Sequence, residues 1–194
     1  MIYKKPSYIF FHLNLLFSSL KKSDYKEVIN RCYWGIKYLI DRNIQISIEA
    51  NGKSLEIINN IDPSFIVYLR NEIDRGNIEF VASGYVQMIS PLAPFNINKN
   101  NIDVGLRVYK KLLNSDPKFF LINEMAFSSS ILNLIERYDF EGIIMDIDNM
   151  ALATNISKKT LYGKKFIKNK NTKSIKILWS DSRLFQSFQR YIHG

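Results

Sequence analysis

Five short apolar runs in this 194-residue chain each stop at, or carry, a side chain able to do chemistry. The run from Tyr8 to Phe11 gives way to His12 and Asn14, and that from Ile44 to Ile48 stops at Glu49. Ile78 to Ala82 carries Glu79 within it and is followed by Tyr85. Phe119 to Ile122 leads to Glu124, and Gly142 to Met145 leads to Asp146 and Asp148. Carboxylates, an imidazole, a phenol and small amides are the groups that grip sugar hydroxyls. Cleaving a glycosidic bond needs one carboxylate to attack the sugar or activate water, and a second carboxyl to donate a proton. Glu79 is notable on other grounds, because a carboxylate within a buried strand requires partners.

Other chemistries fit less well. His12 and His193 have no second His, Cys or Asp at ligand spacing, so no metal is expected. No Gly-x-Gly-x-x-Gly or Walker-type loop follows any strand, and no cofactor is expected. Ser128-Ser129-Ser130 lacks the glycines of a nucleophile elbow and reads as a helix start.

The elements that must position these residues alternate in kind. Between the runs lie stretches with helical spacing. Asp24 and Glu27 form an N-cap signature ahead of Val28, Ile29, Cys32, Tyr33, Ile36, Leu39 and Ile40. Asp62-Pro63 is a strong helix start, Phe65, Ile66, Leu69 and Ile73 form the buried stripe, and Gly76 ends it. After a proline-bearing loop over 85–95, Ile102, Leu106, Tyr109 and Leu113 mark the next helix, which stops before Asp116-Pro117. Ile131, Leu134, Ile135 and Tyr138 mark another, Ile175 to Trp179 a sixth strand, and 183–191 a last helix. Strands alternating with helices of this length imply a parallel sheet, and continuous apolar strands imply cover on both faces. In such folds the active site lies outside the carboxyl ends of the strands. The fold class expected is α/β, an incomplete parallel (β/α)7-type barrel in one domain over 1–194. It is truncated at its C-terminal side, since no closing strand follows the last helix.

Charge and cysteine usage narrow the function. The net charge of +9 is local: Lys158, Lys159, Lys164, Lys165, Lys168, Lys170, Lys173 and Lys176 fall in a stretch without any Asp or Glu, and the remainder holds 19 basic against 18 acidic residues. That stretch has no arginine and few aromatics, unlike a groove that tracks phosphates, so no nucleic-acid partner is expected. A solvated loop or hairpin over about 155–174 is expected instead, with its ammonium groups in water. No apolar run is long enough for a membrane span, and the basic start is not followed by a signal core. Cys32, the one cysteine, reads as a small buried hydrophobe and suits a reducing, cytoplasmic setting.

Three segments together resemble the N-terminal catalytic domain of glycoside hydrolase family 57. Phe11-His12-Leu13-Asn14 stands where that family's first motif places its histidine, here without the second His and the Pro of the His-x-His-Gln-Pro form. Gly76-Asn77-Ile78-Glu79, within a stretch running from Ser54 to Leu92, looks like the second motif. Asn123-Glu124-Met125-Ala126-Phe127 looks like the third, which carries the nucleophilic glutamate. The resemblance covers about residues 7 to 150 and implies an incomplete seven-stranded βα-barrel. It also implies retaining, metal-free action on α-glucan-type polysaccharides by hydrolysis or glucan transfer. By the same resemblance Glu124 is the nucleophile, and His12, Asn14, Glu49, Glu79, Tyr85 and Asp146 are candidates for binding the oligo- or polysaccharide substrate. The proton-donating aspartate belongs to a later motif, expected beyond Gly194. Two rivals remain at this point: a catalytically incomplete, glycan-binding remnant of the same fold, and the related, metal-dependent polysaccharide deacetylases.

Overall fold

The computed structural model describes residues 9–16, 18–164, 166–167 and 174–193. Two compact units emerge. The first runs to Gln87 and takes up again from Asn101 to Pro117; the second holds Met88–Asn100 and everything from Lys118 onward.

The first unit opens with β1 (Phe10–His12), followed by α1 (Tyr25–Val28), α2 (Ile36–Ile40), β2 (Ile46–Glu49), α3 (Gly52–Ile61), α4 (Pro63–Asp74) and β3 (Ile78–Ala82). β1 pairs parallel with β2, setting His12 opposite Glu49, and β2 pairs parallel with β3, setting Glu49 opposite Val81 and Ser47 opposite Glu79. Tyr8, where the first strand was expected to begin, lies outside the described residues. β2 starts at Ile46 rather than Ile44, because Asn43 makes a left-handed turn at φ 58° and Ile44 remains exposed. Asp62 does cap α4. Its carboxylate accepts from the Ser64 and Phe65 amides at 3.1 and 3.3 Å, from the Ser64 hydroxyl, and from the Trp34 indole at 2.8 Å. Phe65, Ile66 and Leu69 are buried, and Gly76 ends the turn at φ 76°.

Two expectations for the first helical stretch are corrected. Asp24 is not a capping residue: its own backbone is already helical, inside a 3-10 turn over Lys22–Asp24, and its carboxylate instead accepts from the Ser23 hydroxyl at 2.8 Å. Cys32 is exposed, not buried. The cause is a π turn over Ile29–Tyr33, in which the Trp34 amide bonds to the Ile29 carbonyl at 3.0 Å. The wider turn advances the inward position by one residue, so Ile29, Tyr33, Ile36 and Ile40 face the core and Cys32 does not.

α5 (Phe95–Leu113) starts ahead of the expected Ile102. Its later part closes the first unit, where Tyr109 and Leu113 are completely buried with Ile48, Leu55, Ile58 and Phe65.

The second unit contains β4 (Phe119–Leu121), α6 (Ser129–Ile135), β5 (Gly142–Asp146), α7 (Ile147–Thr154), α8 (Lys158–Tyr162), β6 (Phe166–Ile167), β7 (Ile175–Ser180) and α9 (Ser182–His193). β4, β5 and β7 pair parallel in that order, and β6 joins β7 antiparallel. Ile122, Ile135, Ile143, Met145 and Ile147 make a tight core around β5.

The described part of the lysine-rich stretch holds helix as well as strand. A hairpin is present as β6 and β7, but α7 and α8 precede it, each started by a cap: Asp146 accepts from the Asn149 amide at 3.0 Å and Ser157 from the Thr160 amide at 3.2 Å. Acids from outside the stretch compensate part of the charge, Asp148 pairing with Lys158 and Glu141 with Lys176 at 3.0 Å. Lys159 and Lys164 are exposed. Lys165, Lys168, Lys170 and Lys173 lie outside the described residues. Among the described residues no helix is long and apolar enough to cross a membrane.

Candidate functional site

In the first unit the strand register does the positioning. Because His12 and Glu49 are opposite each other, imidazole and carboxylate meet, with Nδ1 to Oε2 at 2.6 Å. The Leu13 amide donates to the Glu49 carbonyl at 2.9 Å and fixes the backbone just past His12. The Glu49 carboxylate is nearly enclosed, while the His12 side chain keeps 47% of its surface. Ser83 Oγ donates to Oε1, so hydrogen bonds hold both oxygens of the buried acid. Behind it, Tyr109 Oη accepts from the Ser83 amide at 3.2 Å and donates to the Gly84 carbonyl at 2.6 Å. Burial pushes the Tyr109 hydroxyl well above the usual phenol range, so it stays protonated and can act as a donor.

The corner after β3 is built by close approach. Gly84 turns at φ 93°, and its backbone lies against Gly105 of α5, where a Cβ would fall 2.6 Å from the Gly84 carbonyl carbon. Asn101 Oδ1 then receives the amides of Tyr85 and Val86 at 3.1 and 2.8 Å. The Tyr85 hydroxyl donates to Glu56 at 2.9 Å, and Lys53 reaches the same carboxylate oxygen at 3.2 Å. Asn14 donates to Gln87 at 3.1 Å.

In the second unit Glu124 follows β4 directly, on a short 3-10 turn over Asn123–Met125. Asn123 is buried beneath it and Glu124 is exposed. Glu124 and Met125 both adopt left-handed backbone, at φ 53° and φ 50°. Two consecutive non-glycine residues in that region carry a conformational cost, and such costs concentrate at functional positions. Neighbouring bonds hold the turn: Met125 N to the Ile122 carbonyl at 3.0 Å, and Asn149 Nδ2 to the Met125 carbonyl at 3.3 Å. Asp146, 3% exposed, is the cap of α7, which gives its carboxylate a structural task. Among the described residues no three His, Cys, Asp or Glu side chains gather as a metal cage would require.

Residues 6–189 match the family described as Glycosyl hydrolase family 57. The chain belongs to it. It is 21% identical over 140 residues to an alpha-amylase of Pyrococcus furiosus, covering 71% of this chain and 21% of that protein. It is 22% identical over 140 residues to a 4-alpha-glucanotransferase of Thermococcus litoralis, with the same coverage. The crystal structure of the Thermococcus litoralis 4-alpha-glucanotransferase superposes with a TM-score of 0.76 at 18% identity, over 96% of this chain and 30% of that one. This chain therefore spans about a fifth of the length of the curated relatives it matches. At this identity the superposition shows the fold, α/β with parallel strands and surrounding helices, an incomplete barrel of the (β/α)7 type.

Within this family 57 chain the candidates from the sequence part company. His12 and Glu49 come together; Asn14 and Tyr85 are tied to Gln87 and Glu56; Glu124 stands exposed at a strand end. Glu79 departs from expectation. It is exposed rather than buried: alternation along β3 turns it away from the face of Ile78 and Phe80, and it lies near the amino end of the strand, ahead of Val81, which is buried on its own face. It is level with Ser47, two residues short of Glu49, which is about 7 Å toward the amino edge of the strands. The sequence reading missed Ser83 and gave Tyr109 only a place in a helix stripe. A serine straight after a buried strand, followed by a glycine, was the available signal.

Proposed function

We propose that this chain is the nucleophile-bearing part of a retaining glycoside hydrolase or glucanotransferase acting on α-glucan. The observation that carries this reading is Glu124: an exposed carboxylate on a hydrogen-bonded turn after a buried strand, in the segment Asn123-Glu124-Met125-Ala126-Phe127 that resembles the nucleophile motif of family 57. Its carboxylate oxygen attacks the anomeric carbon as the glycosidic C–O bond breaks, and an aspartate of a later motif protonates the departing oxygen. Water then releases the sugar in hydrolysis, or a second sugar hydroxyl takes it in transfer. The α-glucan substrate is inferred from the names of the relatives, alpha-amylase and 4-alpha-glucanotransferase. His12 contributes a hydroxyl contact. A cytoplasmic location accompanies this reading, on the strength of a single thiol with no possible internal disulfide.

The test does not need the proton donor. A ring-fluorinated α-glucosyl fluoride carries a leaving group that departs without protonation, and its second fluorine slows release of the sugar. Incubated with the 194-residue chain, it is expected to add one glycosyl mass, mapped by peptide mass spectrometry to Glu124 and absent from Glu124→Gln. Absence of an adduct, or an adduct that persists in Glu124→Gln, refutes the assignment.

A further inference from the structure

Glu49 was a candidate for touching sugar, yet it is 6% exposed and hydrogen bonds occupy both its oxygens. Resting on the carbohydrate reading above, we propose that Glu49 is a positioning residue. It keeps the proton of neutral His12 on Nδ1 and so presents Nε2 outward, as the acceptor for a sugar hydroxyl.

A carboxylate only accepts, so the hydrogen of the 2.6 Å contact between His12 Nδ1 and Glu49 Oε2 is assigned to the nitrogen. In a neutral imidazole the other nitrogen then holds a lone pair, and the hydrogen bond at one ring atom decides the role of the other. The carboxylate cannot rotate to suit the imidazole, because Ser83 Oγ holds Oε1 while His12 holds Oε2. Nor can the ring swing aside easily: Phe10 stands edge-on to it with centroids 5.0 Å apart, and the Leu13 to Glu49 backbone bond pins the chain beyond it.

The ionisable neighbours of Glu49 are His12 from β1, Tyr33 from the π turn and Tyr109 from α5. Burial pushes both phenols up, so neither supplies a charge. The imidazole is the neighbour that answers the carboxylate with a charge-assisted hydrogen bond, and its side chain keeps 47% of its surface.

The tautomer can be read directly by 15N NMR of the imidazole. The chain has two histidines, so His193→Gln leaves His12 alone in the spectrum. In alkaline buffer, where imidazole is neutral, the expected result is Nδ1 protonated and Nε2 unprotonated in at least tenfold excess. Glu49→Gln retains the shape but removes the charge, and its amide can turn either way toward Nδ1. In it the excess should fall at least fivefold. Ser83→Ala removes a brace but keeps the acceptor, so the tautomer should persist. A predominantly Nε2-protonated His12, or a ratio unchanged in Glu49→Gln, overturns the proposal. If Glu49→Gln does not fold, the tautomer in the parent chain decides alone.

Saturating maltoheptaose is then added to the parent. Movement of the Nε2 resonance supports the acceptor role. A silent Nε2 with the tautomer as expected overturns the sugar-acceptor half and counts against the carbohydrate reading of His12, while leaving the Glu49–His12 geometry standing. The two failures are thus distinguishable.

Discussion

Replacing Gly105 by alanine tests the closest backbone approach in the first unit. A Cβ there would lie 2.6 Å from the Gly84 carbonyl carbon and 2.9 Å from both the Gly84 Cα and the Tyr85 nitrogen. These are backbone atoms and cannot rotate away. Carbon atoms pack comfortably at about 3.5–4.0 Å, so α5 and the corner must part by roughly 1 Å. That movement stretches bonds now at 2.6 Å from Tyr109 to Gly84 and at 2.8 and 3.1 Å from Val86 and Tyr85 to Asn101. Overpacking costs about 1–3 kcal/mol, and each weakened hydrogen bond about 1 kcal/mol. The expected destabilisation is therefore about 4–6 kcal/mol, a large part of the roughly 5–15 kcal/mol that holds a domain together. Urea unfolding followed by circular dichroism reads it as a lower midpoint at constant slope. Gly163→Ala is the control: φ there is −75° and the nearest atom is at 3.6 Å, so its stability should be unchanged or raised by up to about 1 kcal/mol. A loss below about 1 kcal/mol in Gly105→Ala would refute the close approach and the rigid corner argued from it.

Asp62→Ala should cost about 1–2 kcal/mol through the lost cap of α4, read in the same assay. The Ser64 hydroxyl foremost, then the Trp34 indole and the Phe65 and Ser64 amides, hold the Asp62 carboxyl below its ordinary 3.8 against an opposing effect of burial. A depressed carboxyl stabilises the fold above the unfolded-state value and loses that contribution as pH falls through the folded one, so in Asp62→Asn the decline in stability below about pH 4 should be shallower; an unchanged acid limb contradicts the assignment. Asn155 ends α7 at φ 55°, where a side chain that tolerates left-handed backbone is favoured. Asn155→Ala should lower stability by about 1 kcal/mol and Asn155→Gly should not, both measurable by urea midpoint.

Local chemistry wrote much of this structure into the sequence. Asp62-Pro63 and Gly76 bound a helix because a cap, a preset φ and a residue tolerant of positive φ act within a few residues of themselves. The apolar runs ending at His12, Glu49 and Glu124 are strands because continuous apolar surface must be covered on both faces, and the order of strands and helices carried the fold class. The motif around Glu124 likewise stood in the sequence.

The outcomes that needed tertiary structure all concern where a side chain points or what closes around it. Cys32 was placed in the core by a period of 3.6, and one π turn moved the inward position to Tyr33. Glu79 looked buried because its strand is apolar, whereas in the fold Glu79 is exposed near the amino end of β3 and its neighbours on both faces, Ile78, Phe80 and Val81, are buried. The lysine stretch read as a solvated loop or hairpin without local acids, whereas Asp148 and Glu141, outside it in sequence, pair with Lys158 and Lys176 in the fold. Ser83 carried only a faint local sign of its task, a serine between a buried strand and a glycine, and Tyr109 none beyond its place in a helix stripe. Strand register and the contact of Gly84 with Gly105 bring them to Glu49, across 34 residues in the case of Ser83. Residue type and short-range spacing thus told which groups were available for chemistry. Long-range packing decided which of them, like His12, face outward and which, like Glu49, stand behind to aim them.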